Sequence, residues 1–232
     1  MESFASFLKN YSQKHVPLRA FTLVEMLVSL GIILVITSVV LFGQNSFNKN
    51  LVLIDTAYTI AATVRQSQAY GLSSRRFGAA QNAAYGMHFT TGIVSSYVMF
   101  SDVLPVKPGS SQAGKCAGHT VVDTSSLESR PGNCLYDSST EMVTTYNLNQ
   151  GFKITNFCGF DTTGTKRCSG SYLDSLAITF LRPNTQASIL GMHTGVVVEL
   201  TSASIRVTSP DGSQERCVNI TKVGQVAVGA CP

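Results

Sequence analysis

The sequence predicts an α+β fold in which a long amino-terminal helix packs on an antiparallel β-sheet. Three observations lead to this prediction. A predominantly apolar run extends from Phe21 to Phe42 and contains one carboxylate, Glu25. As far as Arg75 the apolar residues then recur at intervals of three and four, which is the spacing of one helical face. Beyond Arg76, short β-prone runs alternate with turn residues, and a sheet of this kind needs a helix to cover its apolar face.

The composition fits one membrane segment and one modest globular domain. Of the 232 residues, 13% are charged and 44% are hydrophobic. Soluble domains carry roughly 25% charged residues, so part of this chain is expected to avoid water. The net charge of +4 is small and spread along the chain. Nothing in that balance requires a nucleic-acid partner.

The first element is a transmembrane helix over residues 21–43. At about 1.5 Å per residue its apolar part spans about 33 Å, enough for a hydrocarbon core of about 30 Å. Lys9, Lys14 and Arg19 precede it, and the next basic residue is Lys49. This asymmetry predicts that the amino end stays in the cytoplasm and that the rest is exported.

Two other interpretations of this segment are open. A cleavable secretory signal also has a basic start and an apolar middle, but here no Ala-x-Ala site follows. An uncleaved signal anchor on a plain single-pass extracytoplasmic domain has the right length, but it does not explain Glu25.

Glu25 requires a partner if this helix lies in a membrane. A carboxylate at the centre of a membrane helix costs about 2.5–3.5 kcal/mol, and somewhat less near an end. Its polar neighbours Thr22 and Ser29 carry no positive charge. Cleavage between Ala20 and Phe21 would create a cationic amino group one helical turn away, on the same face of the helix. That amine could pair with Glu25 of its own chain or of a neighbouring chain.

The residues from Arg19 to Glu25, RAFTLVE, resemble the processing site of type IV prepilins and pseudopilins. In that family a basic residue and a small residue precede Phe-Thr-Leu-x-Glu and a long apolar helix. The resemblance implies a leader over residues 1–20 that a prepilin peptidase removes after Ala20. It also implies N-methylation of Phe21 and a role for Glu25 in filament assembly.

The second element is an amphipathic stem helix over residues 44–75. Its apolar face is predicted from residues at helical spacing: Phe47, Leu51, Ile54, Tyr58, Ala61, Ala62, Ala69 and Leu72.

The third element is a β-rich head over residues 76–232. Seven runs are typical of strands: AYGMHFTT, SSYVMFSD, SLAITFLRP, GVVVELTS, ASIRVTSP, RCVNITKV and QVAVGA. The region at about 104–171 is rich in Gly, Ser, Thr and Cys, and it is interpreted as a large surface insertion with a short hairpin at EMVTTYNLN.

Six cysteines, all downstream of the apolar segment, predict disulfides formed in an oxidising compartment. They are Cys116, Cys134, Cys158, Cys168, Cys217 and Cys231. Fifteen connectivities are possible, and pairing by neighbours gives Cys116–Cys134, Cys158–Cys168 and Cys217–Cys231. Buried free thiols are the alternative, and a metal site is disfavoured because no Cys-x-x-Cys pair occurs.

No catalytic motif is recognisable. After the predicted cleavage the histidines are His88, His119 and His193. The sequence contains no Gly-x-Ser-x-Gly motif, no His-Glu-x-x-His motif and no complete Walker motif with Ser or Thr after Gly-Lys. The sequence therefore predicts a protein that is not an enzyme and that has no cofactor and no metal.

The stem and head contain TVRQSQAYGLSSRR followed by YGMHF, and a final Cys-Val-Asn-Ile-x-x-x-Gly-Gln-Val-x-Val hairpin. This arrangement is similar, more loosely, to minor class H pseudopilins of type II secretion and to minor pilins of the FimT and FimU kind. This pilin-like resemblance implies a minor filament subunit, whose partners are other pilins or pseudopilins, a prepilin peptidase and the assembly machinery. It would lie in the bacterial inner membrane, with its head in the periplasm or outside the cell, before joining the filament. A DNA-binding minor pilin for DNA uptake is an alternative, although the tail VAVGACP lacks basic residues.

Overall fold

The computed structural model describes most of the chain after the predicted leader, with backbone only for residues 42–47. The described ranges are 21–73, 75–78, 80, 83–103, 132–183 and 185–231. The chain divides into two compact units, residues 1–46 and 47–232. Each unit is considered by itself.

One long helix, α1, runs from Leu23 to Leu72, as the continuous helical periodicity predicts. Within the second unit its buried face repeats at helical spacing. The buried apolar residues of this face are Leu53, Ala57, Ile60, Ala61 and Val64.

The predicted apolar face was wrong in part: Ala61 is buried as predicted, and Ile54 and Leu72 are half-buried. Leu51 and Tyr58 were assigned to the buried side, but they are 50% and 57% exposed. Both sets of residues recur at intervals of three and four, so periodicity alone could not choose between them. The sheet packs against the set that contains Leu53, Ile60 and Val64. Gly71 lets the helix approach the backbone of Phe180 closely.

Ten strands form one curled antiparallel sheet in the described part of the chain. They are β1 (Ala84–Thr90), β2 (Ser96–Asp102), β3 (Met142–Asn147), β4 (Lys153–Asp161), β5 (Lys166–Cys168), β6 (Ser175–Phe180), β7 (Ala187–His193), β8 (Val196–Thr208), β9 (Glu215–Thr221) and β10 (Val226–Gly229). The order is β10-β9-β8-β7-β6-β1-β2-β3, and β4 pairs with β8 and with β5. A short 3-10 helix at Ser139–Glu141 precedes β3. The predicted α+β class is therefore confirmed.

Several strand predictions need correction. The sequence predicts two strands at GVVVELTS and ASIRVTSP. The structure has one strand there, β8, because Ser202 and Ser204 continue its pairing with β9. EMVTTYNLN was read as a hairpin, but it contributes the single strand β3. β7 was not predicted.

The region assigned to a surface insertion takes part in the sheet. Its residues 142–168 form β3, β4 and β5, and Phe152, Ile154 and Phe157 are buried in the main core with α1. The remainder, residues 104–131, lies outside the described residues.

A second apolar cluster lies on the other face of the sheet. Phe100 of β2, Ala177 of β6 and Leu190 of β7 pack there against Cys134 and Leu135. The segment that contains Cys134 therefore covers the side of the sheet that α1 does not.

Candidate functional site

The candidate assembly site is the amino-terminal end of α1, which Thr22 caps. The Thr22 hydroxyl accepts a hydrogen bond from the backbone N–H of Glu25 at 3.2 Å. Its carbonyl accepts from the N–H of Met26, also at 3.2 Å. A side-chain oxygen that binds a free N–H of the first turn is a typical helix cap. Sequence reasoning missed this role, although the Thr-x-x-Glu spacing is its signal.

Glu25 lies in the first turn of α1. Its side chain is exposed and makes no hydrogen bond or ion pair with any residue that the structure describes. The positive end of the helix dipole favours a carboxylate at this position. Phe21 is described and 73% exposed. Ala20 and the predicted leader, residues 1–20, lie outside the described residues, so cleavage and methylation stay predictions.

The helix that follows is apolar and fully exposed. Leu23–Leu41 has a mean hydropathy of 2.5, and none of that stretch is buried in the protein. Its length and composition suit a membrane-spanning helix, and a signal sequence has the same properties.

The hydroxyl groups in this helix are satisfied internally. Ser29 donates to the carbonyl of Glu25 at 2.6 Å, Thr37 to that of Ile33 at 2.7 Å, and Ser38 to that of Leu34 at 2.8 Å. Donation to the carbonyl four residues earlier is the usual way in which such residues are accommodated in a helix. The Glu25 carboxylate is therefore the one side-chain polar group described between Leu23 and Leu41 without a partner.

Two of the predicted disulfides are present, Cys158–Cys168 and Cys217–Cys231. The first links directly opposed residues of β4 and β5. The second links Cys217 of β9 to Cys231, two residues after β10 ends at Gly229. Cys116 lies outside the described residues, so its pairing with Cys134 stays a prediction.

Two buried carboxylates hold the segment around Cys134 in place. Asp102 accepts hydrogen bonds from the backbone N–H groups of Asn133 at 3.2 Å and Cys134 at 2.6 Å. Glu141 accepts from the N–H of Val103 at 3.0 Å and of Asp137 at 2.9 Å. Sequence reasoning missed both residues, because their partners are distant in sequence or carry no motif. We interpret them as structural.

The surroundings of Asp102 favour its neutral form. Burial raises the pKa of Asp102 well above its usual value, and the nearby Glu141 carboxylate raises it further. Gly132 lies so close that a Cβ there would overlap the Asp102 carboxylate. Glycine is thus required at position 132 for this packing.

The described histidines occupy structural environments. His88 lies on β1, with its ring centroid 4.9 Å from that of Tyr136, and burial lowers its pKa to about 4. His193, at the end of β7, lies 3.4 Å from the exposed Asp174 carboxylate. His119 lies outside the described residues. Within the described part of the chain, no group of three His, Cys, Asp or Glu side chains is placed to hold a metal ion.

Comparison with known proteins adds no relative: no family model, no curated protein and no solved structure matches this chain.

Proposed function

We propose that this protein is a minor pilin or pseudopilin, a structural subunit of a type IV pilus or of a type II secretion pseudopilus. It is processed after Ala20, N-methylated at Phe21 and assembled through Glu25. The observation that carries the proposal is the carboxylate of Glu25, which has no partner among the described residues, in the first turn of an apolar, exposed helix.

The free energies involved support an external partner for Glu25. The helix dipole contributes about 0.3–1 kcal/mol to a carboxylate in the first turn. Insertion of that carboxylate into a bilayer costs up to about 2.5–3.5 kcal/mol at the helix centre. The dipole leaves part of this cost uncompensated. The amino group released at Phe21, on the same chain or on a neighbouring subunit, supplies the missing positive charge.

The exposed face of α1 in the second unit supports lateral packing between subunits. Leu51 and Tyr58 are large and exposed, and Ala62 and Ala69 continue the same face at helical spacing. None of these four side chains is buried by the residues that the structure describes. In a filament they pack against the helices of neighbouring subunits.

The disulfides support an extracytoplasmic head. Disulfides persist in the periplasm and outside the cell, and they are rare in the cytoplasm. With an amino end held inside by Lys9, Lys14 and Arg19, the second unit is exported across the inner membrane.

DNA binding has less support. The basic pairs Arg75–Arg76 and Lys166–Arg167 are the residues that such binding would use. Arg167 pairs with Asp161 at 3.1 Å, and the Arg75 guanidinium lies 4.0 Å from the centroid of the Tyr70 ring. Both guanidinium groups therefore already have a partner within the protein, which disfavours their use in binding phosphate.

Two measurements test the proposal. Mass spectrometry of the protein recovered from cells should give a chain that begins at Phe21 and carries one additional methyl group. Glu25→Gln keeps the shape of the side chain and removes its charge. A charge-assisted hydrogen bond contributes about 1.5–3 kcal/mol, so filament incorporation should fall at least about tenfold while membrane insertion is normal.

Ser29→Ala is the matched control, since Ser29 lies one turn further along and donates only to the carbonyl of Glu25. It should be incorporated as well as the wild type. A mature chain that still begins at Met1 would refute the proposal. Normal incorporation of Glu25→Gln would also contradict the proposal and would favour a plain membrane-anchored domain.

A further inference from the structure

A polar pocket lies in the second unit, between α1 and the connection from β3 to β4. Its volume is about 150 Å³. A single ordered water requires only about 10–15 Å³, so the pocket accommodates an organic group of several atoms. Its polar lining consists of Asp55, Thr56, Thr59, Asn147, Asn149 and Gln150.

Most of these side chains have no hydrogen-bond partner within the part of the chain that the structure describes. Thr56 donates to the carbonyl of Val52 at 2.7 Å. The other five side chains are exposed and make no hydrogen bond or ion pair with any residue in the described ranges. Each of the three amides offers one acceptor oxygen and two N–H donors, and each threonine hydroxyl both donates and accepts. The pocket therefore presents a dense, mostly neutral set of donors and acceptors.

The backbone at the rim of the pocket is strained. Gln150 has a φ of 56°, and Gly151 after it has a φ of 77°. The N–H of Phe152 donates to the carbonyl of Asn149 at 3.2 Å and closes a tight turn. Glycine or asparagine is preferred at the first left-handed position of such a turn. Glutamine in this backbone conformation costs conformational energy, and such strain is typical of residues whose side chain has a function.

The lining discriminates between classes of ligand. A lysine or arginine side chain has only donors, so it would leave the N–H groups of the three amides unpaired. Asp55 would repel an anion, and no basic residue lines the pocket. An apolar ligand would desolvate every one of these polar groups without compensation. A polyhydroxylated ligand satisfies them, because each of its hydroxyl groups both donates and accepts.

We propose that this pocket binds one unit of a neutral saccharide. The Asp55 carboxylate accepts from its hydroxyl groups, and the amides of Asn147, Asn149 and Gln150 donate and accept around the ring. Val52 and Leu148, which are half-buried, line the pocket and provide an apolar surface for the C–H groups of the sugar. The Tyr97 hydroxyl lies 3.3 Å from that of Thr63.

The test uses the full chain solubilised in an amine-oxide detergent, since detergents with sugar headgroups would compete. The methyl glycosides of glucose, galactose, mannose and N-acetylglucosamine are titrated and followed by saturation-transfer NMR and calorimetry. At least one glycoside should bind. Asp55→Ala and Asn147→Ala should each weaken binding about tenfold, because each removes from the pocket a side chain that hydrogen-bonds to the ligand.

Gln225→Ala is the matched control, because Gln225 is an exposed amide that does not line the pocket. It should bind as the wild type does. Gln150→Asn places a residue that tolerates the left-handed conformation, so it should fold normally and lose affinity. Failure of all four glycosides to bind, or equal weakening by Gln225→Ala, would overturn the proposal. So would binding of a lysine-containing peptide in place of the sugars. Binding should be unchanged by Glu25→Gln, which separates this inference from filament assembly.

Discussion

Acidification should destabilise the second unit through His88. The His88 ring packs against Tyr136, and its Nδ1 is buried without a hydrogen-bond partner among the described residues. The fold therefore favours the neutral imidazole, and the pKa is lowered from 6.5 to about 4. Above about pH 7, His88 is therefore neutral in both the folded and the unfolded chain. Below about pH 6.5 the unfolded chain binds the proton first, and stability is lost.

The size of this effect follows from the two pKa values. Each pKa unit is equivalent to about 1.4 kcal/mol, so the full difference corresponds to about 3 kcal/mol. Between pH 7 and pH 4.5 the expected loss in the free energy of unfolding is about 2.5 kcal/mol. Asp102 acts in the opposite direction, because its raised pKa makes protonation favourable to the fold, and that contribution is lost as the pH rises.

The assay compares the wild type with His88→Leu in urea, using the near-ultraviolet circular dichroism of the tyrosines at both pH values. The leucine does not titrate, and Asp102 is common to both proteins. The wild type should therefore lose about 2.5 kcal/mol more than the variant between pH 7 and pH 4.5. An identical pH dependence of the two proteins would refute this account of His88.

Three further predictions follow from the contacts. Replacing Cys217 and Cys231 by alanine should lower the free energy of unfolding by about 3 kcal/mol, as chain entropy predicts for their separation of 14 residues, measured by urea titration. Gly132→Ala should destabilise by at least about 1–3 kcal/mol, because its Cβ overlaps the Asp102 carboxylate; Gly229→Ala, where a Cβ meets nothing, should have a smaller effect. Tyr58→Glu should leave the unfolding transition within about 0.5 kcal/mol of the wild type, yet reduce cross-linking of the subunit into filaments.

The class of fold was predictable because its signals are local. The periodicity of α1 extends without a break from the apolar segment to Leu72, and neither proline nor a run of glycines interrupts it. β1, β2, β9 and β10 were recognised from β-branched and aromatic runs bounded by turn residues. Pairing cysteines by their order also succeeded for both disulfides that the structure describes, since each closes a short loop.

The features that were not predicted from the sequence are those that depend on tertiary contacts. β4 contains Asn156 and Gly159, which lower its strand propensity, but it is held by pairing along β8 and by the burial of Phe157. The side of α1 that is buried depends on which residues fit the sheet, and the helix carries two apolar faces. Asp102 could not be recognised because its partners lie about thirty residues away.

The candidate assembly site was predictable in part. Glu25 was identified because a carboxylate in an apolar run is unusual, and this requires no knowledge of the fold. The capping role of Thr22 was overlooked, although its spacing from Glu25 is visible in the sequence. The saccharide pocket could not have been predicted, because Asp55 and Gln150 meet only when α1 packs beside the β3–β4 turn.

The hydroxyl groups of Ser29, Thr37 and Ser38 each bond within their own helix, four residues back along the chain. These bonds belong to the helix and not to its surroundings. The segment can therefore exchange lipid tails for the side chains of another helix without breaking a hydrogen bond. Of the polar side chains described between Leu23 and Leu41, the Glu25 carboxylate alone would gain a partner in such a transfer, so in the proposed assembly one side chain would decide which neighbour is accepted.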